Sequence, residues 1–318
     1  MKIIRKFTVL LTTLTNTLGI LTASMMFYIT MPIEVASTTL KLPKGSVTHT
    51  INHLKKQGYQ LSTIDTYFLV AIGHPKSGEL EVGEGVFNRI DFLHKLTSAT
   101  EAFDIITLIP GETRPIFLQE LADTYQLSYA KLDGNYTRYS PYHEAGILPE
   151  TYHVPKGIRE AKLISFLVRL TEEKYQSIAQ EYGISYDTRT WLRYLTIASV
   201  IQKEAANAQE MPIVASVIYN RLKKEMPLQM DGTLNYGKYS HVKVTPERIR
   251  NDKSRFNTYA NTGLPPYPVC SVSIDAIKAA LKPQQTNYLY FMKNKEGVHD
   301  FTHSYQEHLR NIAKAKRN

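Results

Sequence analysis

Glu204 is the residue whose placement points most directly to chemistry. It lies three residues after Ile201 and seven after Ile197, so it continues the apolar stripe of Trp191, Leu195, Ala198 and Ile201 instead of facing water. A carboxyl held there is partly desolvated, which disfavours the charged form and raises its pKa. A general acid working near neutral pH needs that shift. The competing reading is an ordinary solvated helix former, sitting between Lys203 and two alanines near a helix end. His299 and His303 have the i, i+4 spacing of a metal pair, with Asp300 and His308 nearby. No HExxH pattern accompanies them and Gly297 argues for a turn or strand, so hydrogen bonding is expected there, with no metal and no cofactor.

These groups need elements to hold them. Residues 190–204 read as a helix with Thr190 as N-cap, and Pro212 can open a second helix carrying Ile213, Val214, Val217, Ile218 and Leu222. Residues 229–239 are polar and aperiodic, as in a loop that lines a site. The Gly-Leu-Pro-Pro run at 263–266 restricts the backbone, since each proline constrains itself and its predecessor. A short helix over 274–281 follows with Ser273 as cap, then a β-rich run at 287–292. Upstream, 158–181 reads as a long amphipathic scaffold helix, and the turn formers of 133–141 mark the expected boundary between domains.

Residues 33–135 read as a separate small domain. Two segments, 42–59 and 109–127, share a proline turn, a small polar cap and an amphipathic helix. Between them, FLVAIGHPKSGELEVGEGVFN reads as strands and turns. Residues 7–29 carry no charge and follow the basic MKIIRK, which suits a membrane-spanning anchor better than a cleaved signal peptide. The flanking charges predict a short cytoplasmic tail, residues 1–6, with the rest exported. The chain of 318 residues has a net charge of +9, which suits an anionic envelope surface. No clustered basic stripe accompanies it, so nucleic-acid binding is not expected. The single cysteine, Cys270, excludes an internal disulfide.

The blocks EAGILPETYHVPKG, IASVIQKEAAN, VASVIYNRL, LQMDGTLNYG, FNTYANTGLPPYPVC and YLYFMKNKEGVHDFTHSYQEH run almost continuously over residues 144–308. In order and spacing they closely resemble the MltG-type (YceG-like) endolytic murein transglycosylases. The resemblance implies an α+β protein with one transmembrane helix, a LysM-like domain able to read glycans, and a catalytic domain over 140–318. It implies that Glu204 is the catalytic acid in cleavage of the MurNAc-β-1,4-GlcNAc bond, leaving 1,6-anhydro ends. Gln229, Asp231, Thr233, Tyr236, Asn220, Asn257 and Tyr259 offer contacts to saccharide, against a competing role in turn capping or core satisfaction. Asp231 could instead be a second catalytic carboxylate, making a water-using muramidase, and a non-catalytic wall-binding scaffold is the other alternative. The implied setting is a bacterial inner membrane with the catalytic domain outside the cytoplasm, peptidoglycan strands as substrate, and peptidoglycan synthases as partners. Two departures stand out: Asp231-Gly232-Thr233 where the family usually has Asp-Pro-Thr, and Ser271-Val272-Ser273 where Asn-Pro-Gly usually follows the cysteine.

Overall fold

The computed structural model describes residues 2–317, and side chains from 4 to 315. Met1, the start of the expected tail, lies outside the described residues. The chain forms two compact units, residues 1–104 with 153–157, and residues 105–152 with 158–318. Helix and strand are mixed in both, an α+β chain with one apolar N-terminal helix.

The first unit opens with α1 (Lys2–Thr30), which is long and apolar enough to cross a membrane. Its threonines bond back to carbonyls one turn earlier, as Thr8 does to Ile4 and Thr22 to Leu18, so their hydroxyls remain satisfied away from water. Then come β1 (Pro32–Val35), β2 (Thr39–Leu42), α2 (Val47–Lys56), α3 (Thr63–Ile72), β3 (Gly78–Glu81), β4 (Gly85–Asn88), α4 (Arg89–Ser98) and β5 (Thr100–Glu101). Strand β1 pairs antiparallel with β4, and β2-β3-β5 form a second antiparallel sheet in which Leu40 faces Leu80. Alternate strand residues Ile33, Val35, Leu40 and Leu42 turn inward onto Ile51, Leu54, Leu69, Phe92 and Leu96 of the helices.

Ser46 caps α2 by accepting from the His49 N–H, as its sequence suggested. The run FLVAI differs from expectation. It is helical, because Ser62 and Asp65 form a reciprocal capping box that starts α3 at Thr63, ahead of Phe68. Asp65 also pairs with Arg89 at 2.7 Å, and both side chains are buried. Arg89 donates further to the Gln60 carbonyl and the Tyr28 hydroxyl, so it ties α1, α3 and α4 together.

Strand β6 (Phe103–Thr107), which begins in the first unit, leads in the second to α5 (Arg114–Tyr125) and α6 (Tyr129–Tyr139), and then to β7 (Thr151–Pro155), whose residues from His153 belong to the first unit. The stretch 133–141 is helical as far as Tyr139, not a loop. Ser128 caps α6, and Leu132 and Tyr136, one turn apart, are both buried. Helices α7 (Glu160–Glu181), α8 (Thr188–Glu204) and α9 (Met211–Lys223) follow, then two 3-10 turns at Asp231–Leu234 and Gly237–Tyr239. The chain ends with α10 (Pro246–Asn251), α11 (Ile274–Leu281), the antiparallel hairpin of β8 (Tyr290–Lys293) and β9 (His299–Thr302), and α12 (Tyr305–Arg317). The C-terminal basic residues lie on α12, where His308 stacks on Tyr290 of β8 at 5.4 Å.

Helix α8 is the axis of this unit. Every residue from Leu195 to Ile201 is buried, with α9 and α11 packed on it. Trp191 is fully buried, with ring centroids 5.6 Å from Tyr175 and 5.3 Å from Tyr186. The N-cap is Asp187, not Thr190. The Asp187 carboxylate accepts from the Thr190 N–H at 3.0 Å, which starts the helix two residues earlier than expected.

Truncating Arg89 would leave the Asp65 carboxylate buried without its counter-charge. Arg89→Ala should therefore destabilise the first unit by about 3–5 kcal/mol. Joint replacement by Arg89→Met and Asp65→Asn should recover part of that loss. Urea unfolding of the full chain in detergent micelles, read for each variant, measures both.

Candidate active site

Glu204 is the last residue of α8, and Ala205 beyond it is extended. The helix therefore ends at the carboxyl, with its unpaired carbonyls nearby, and the negative end of a helix disfavours a negative side chain. Desolvation is the main force on this group and pushes its pKa up to about 7. The Gly232 N–H, which donates to Oε1 at 2.8 Å, opposes that shift; the Asp231 charge adds to it and the Arg221 charge opposes it. With Oε1 engaged by a donor, the acidic proton belongs on Oε2.

The donor reaches Oε1 because the 231–234 turn packs directly against the end of α8. A Cβ on Gly232 would lie 2.4 Å from Cβ of Lys203 and 2.8 Å from Glu204 Oε1, so only glycine allows this approach without movement. The turn is held from behind by the 257–259 segment. Gln229 N–H donates to the Thr258 carbonyl at 3.1 Å, Met230 N–H donates to Thr258 Oγ1 at 3.1 Å, and the buried Thr233 hydroxyl lies 3.0 Å from that of Thr258. Gln229 sits at φ +50, a left-handed conformation that costs a non-glycine residue and that these bonds sustain.

The sequence-derived residues fall into two groups. Asp231 and Gln229 are exposed and Tyr259 is half-buried, and the Tyr259 hydroxyl donates to Asp231 Oδ1 at 2.7 Å. These three stand on the turn and segment that meet Glu204. The others point into the protein. Asn220 Nδ2 donates to the carbonyls of Thr286 and Tyr288, at 2.8 and 2.9 Å. Asn257 Nδ2 donates to Ile249 and Asp252, both at 2.8 Å, and Thr233 is fully buried. Tyr236 stacks on Phe256 at 4.2 Å. His299 lies apart from this group, with its backbone N–H donating to Glu210 and its ring Nδ1 bonded to the same carboxyl, each at 2.7 Å. His303 pairs with Glu307 at 3.3 Å.

Several supports act through bonds that the sequence does not announce. Arg221 donates through Nε to the Leu289 carbonyl at 2.6 Å and through Nη1 to that of Leu228 at 2.5 Å, fixing the start of the loop. Arg248 donates to the Leu234 carbonyl. Thr113 donates to the Gly237 carbonyl at 2.7 Å, and Glu112 pairs with His241 at 2.8 Å, tying the N-terminus of α5 to the second 3-10 turn. Ser199 and Gln202 of α8 accept from the N–H groups of Val269 and Ser273, at 3.0 and 3.1 Å, which anchors the proline-rich segment. Most are bonds between residues far apart in the chain, visible only once it is folded.

One other carboxyl is pushed close to neutrality. Burial raises Glu144 to about 8. That residue is 6% exposed, and both its oxygens accept from the Arg114 N–H, so it is walled into the scaffold. Of these two, Glu204 is the less enclosed, half-buried where Glu144 is buried.

Because the folded pKa of Glu204 is raised, its proton favours the folded state below about pH 4.5, and that contribution is lost as pH rises through about 7. Glu204→Gln should therefore raise stability at pH 8 by on the order of 1–2 kcal/mol, discounted for partial exposure, and by little at pH 4. Paired thermal melts at the two pH values read the difference. Gly232→Ala should cost about 1–3 kcal/mol, since the added methyl must displace Lys203 or the turn, and the same melts read it.

Comparison with known proteins identifies the family and relatives of the chain. A family model described as the YceG-like family matches residues 40–314. The chain is similar to an endolytic murein transglycosylase of Bacillus subtilis (strain 168), 42% identical over 124 residues, covering 39% of this chain and 34% of that protein. It is also similar to one of Streptococcus pneumoniae (strain ATCC BAA-255 / R6), 32% identical over 181 residues, covering 54% of this chain and 32% of that protein. The matches thus span about a third of the length of these relatives. Among solved structures, a yceG-like protein of Listeria monocytogenes aligns with TM-score 0.56 at 24% identity, covering 86% of this chain and 98% of that one, a likeness of fold.

Proposed function

The chain belongs to the YceG-like family, and from that premise we propose that it is an endolytic lytic transglycosylase acting on peptidoglycan strands, with Glu204 as its acid. The observation that carries this reading is the state of that carboxyl: desolvated, raised to about 7, and bonded through one oxygen by the Gly232 N–H. Such a group keeps about half its population protonated at neutral pH, and the protonated form presents its proton on the free oxygen.

One carboxyl suffices for this reaction. Glu204 donates its proton to the bridging oxygen of the GlcNAc leaving group as the bond from MurNAc C1 breaks. The C6 hydroxyl of the same MurNAc then bonds to C1, and the Glu204 carboxylate takes the hydroxyl proton. The acid is regenerated, no water is consumed, and the product carries a 1,6-anhydro ring. Attack within one sugar has a high effective molarity, so no second group is needed to activate a nucleophile. Gln229, Asp231 and Tyr259 are proposed as the groups that meet the saccharide, because their side chains stand exposed or half-buried around the acid. Asn220, Thr233, Tyr236 and Asn257 serve the same surface by shaping its wall.

The rest of the chain fits work at a membrane. In this reading α1 is the anchor, the basic residues at its start remain in the cytoplasm, and the second unit works outside on strands still close to the inner membrane. Peptidoglycan synthases are then natural neighbours, and the first unit acts as a LysM-like module that positions glycan. The bond from Tyr259 to Asp231 beside Glu204 favours one alternative, in which Asp231 activates water and the enzyme is a muramidase.

Mass spectrometry of glycan fragments tests this, using the full chain in detergent with uncross-linked peptidoglycan, beside Glu204→Gln. Internal fragments ending in 1,6-anhydro sugar from the unaltered chain only, with kcat/KM falling as pH rises through about 7, are the expected result. Reducing ends would replace the transglycosylase with the hydrolase, and undiminished cleavage by Glu204→Gln would remove Glu204 from its role.

A further inference from the structure

Helix α3 presents an uncharged apolar stripe outward. Ile64, Tyr67 and Val70 recur at helical spacing and are 49%, 74% and 56% exposed. Thr63 and Ala71 complete that face, and the only charged residue of α3, Asp65, is buried on the opposite side against Arg89. A soluble surface helix usually reverses this pattern and shows water its charges. The three side chains are too large and too close together to be the scattered apolar residues normal on a surface.

The position of α3 along α1 says what covers the stripe. The apolar span of α1, Ile4–Thr30, has 27 residues. At about 1.5 Å per residue it is about 40 Å long, the thickness of a bilayer with its headgroup layers. Tyr28, two residues before its end, then lies at headgroup depth. Its ring stacks on Phe68 of α3, with centroids 6.2 Å apart. Its hydroxyl lies 2.6 Å from Ser62 Oγ and donates to Asp65 Oδ2 at 2.9 Å, and the Arg89 guanidinium sits 4.3 Å from the ring centre. These bonds fix α3 at the depth of Tyr28.

We propose that the outer face of α3, formed by Ile64, Tyr67 and Val70, is seated in the lipid headgroup layer beside the exit of α1. Amphipathic helices rest in that layer with their apolar side at the acyl boundary, and tyrosine is favoured there because its ring and hydroxyl match the two environments. The span and α3 thereby form a two-point attachment: α1 sets the depth of the first unit, and α3 stops that unit from swivelling about a single helix. This inference rests on α1 being a membrane span.

The test uses the full chain reconstituted into phosphatidylethanolamine–phosphatidylglycerol vesicles, with and without brominated acyl chains. Tyr67→Trp and, separately, Phe27→Trp are compared with the unaltered chain, whose Trp191 is buried in the second unit. Both positions are exposed, so neither tryptophan disturbs packing. Brominated lipid should remove most of the added emission at both sites, and aqueous iodide should leave both largely unquenched. Quenching of Phe27→Trp by bromine but of Tyr67→Trp by iodide alone would overturn the seating of α3 and leave the anchor standing. Escape of both from bromine would overturn the anchor itself.

Discussion

A single backbone N–H, that of Gly232, meets the carboxyl at the end of α8, and much of the second unit is arranged to make that meeting possible. The acid can be fixed because α8 is buried on all sides from Leu195 to Ile201, leaving the helix no freedom to slide or roll. The turn can be fixed because its carbonyls and amides are bonded before it reaches the acid. Arg221 holds the carbonyl of Leu228, Thr258 receives the amides of Gln229 and Met230, and Arg248 holds the carbonyl of Leu234. Two rigid bodies then touch at Gly232, and the carboxyl has one oxygen engaged and one free.

The proton affinity of Glu204 is a balance between opposed effects. Desolvation and the charge of Asp231 favour the neutral acid, while the Gly232 N–H and Arg221 favour the carboxylate. Each pKa unit corresponds to about 1.4 kcal/mol, so loss of any one contributor moves the acid away from neutrality by an amount that catalysis would register. Arg221 has a double part here. Burial lowers its own pKa, yet its bonds to Leu228 and Leu289 keep it beside the site, where its charge also tempers the acid. The same side chain thus shapes the loop and tunes the group the loop faces.

Local regularities were legible in the sequence, and long-range bonds were not. The stripe that brings Glu204 inward, the Ser46 and Ser273 caps, and the span of α11 all follow from residues within one or two helical turns. Where two local signals competed, the reading followed the weaker one. Asp187 outcompetes Thr190 as a cap because its carboxylate lies three residues ahead of the N–H it bonds, and the Ser62–Asp65 box overrides the strand propensity of FLVAI. Helix α6 was hidden because Gly134 and Asn135 read as turn formers, although burial of Leu132 and Tyr136 keeps the helix intact past them. The inward direction of Asn220 and Asn257 could not be read at all. Each bonds carbonyls whose position depends on the folded chain, 66 and 68 residues away for Asn220.

The Asp-Gly-Thr turn sharpens the point. A proline at position 232 would have no N–H to offer Glu204, and its ring would occupy the space where even a Cβ lies 2.4 Å from Lys203. Glycine removes both obstacles, and its usual penalty is the conformational freedom lost on ordering. Here that penalty is offset by neighbours that are already ordered. Thr233 is buried and bonded to Met230 and Thr258, and Asp231 is held by Tyr259, so the residues on either side fix the backbone that glycine alone would leave loose. A flexible residue can therefore occupy the tightest contact of the site, because the rigidity is supplied by the flanking residues and only the missing side chain and the N–H are asked of Gly232.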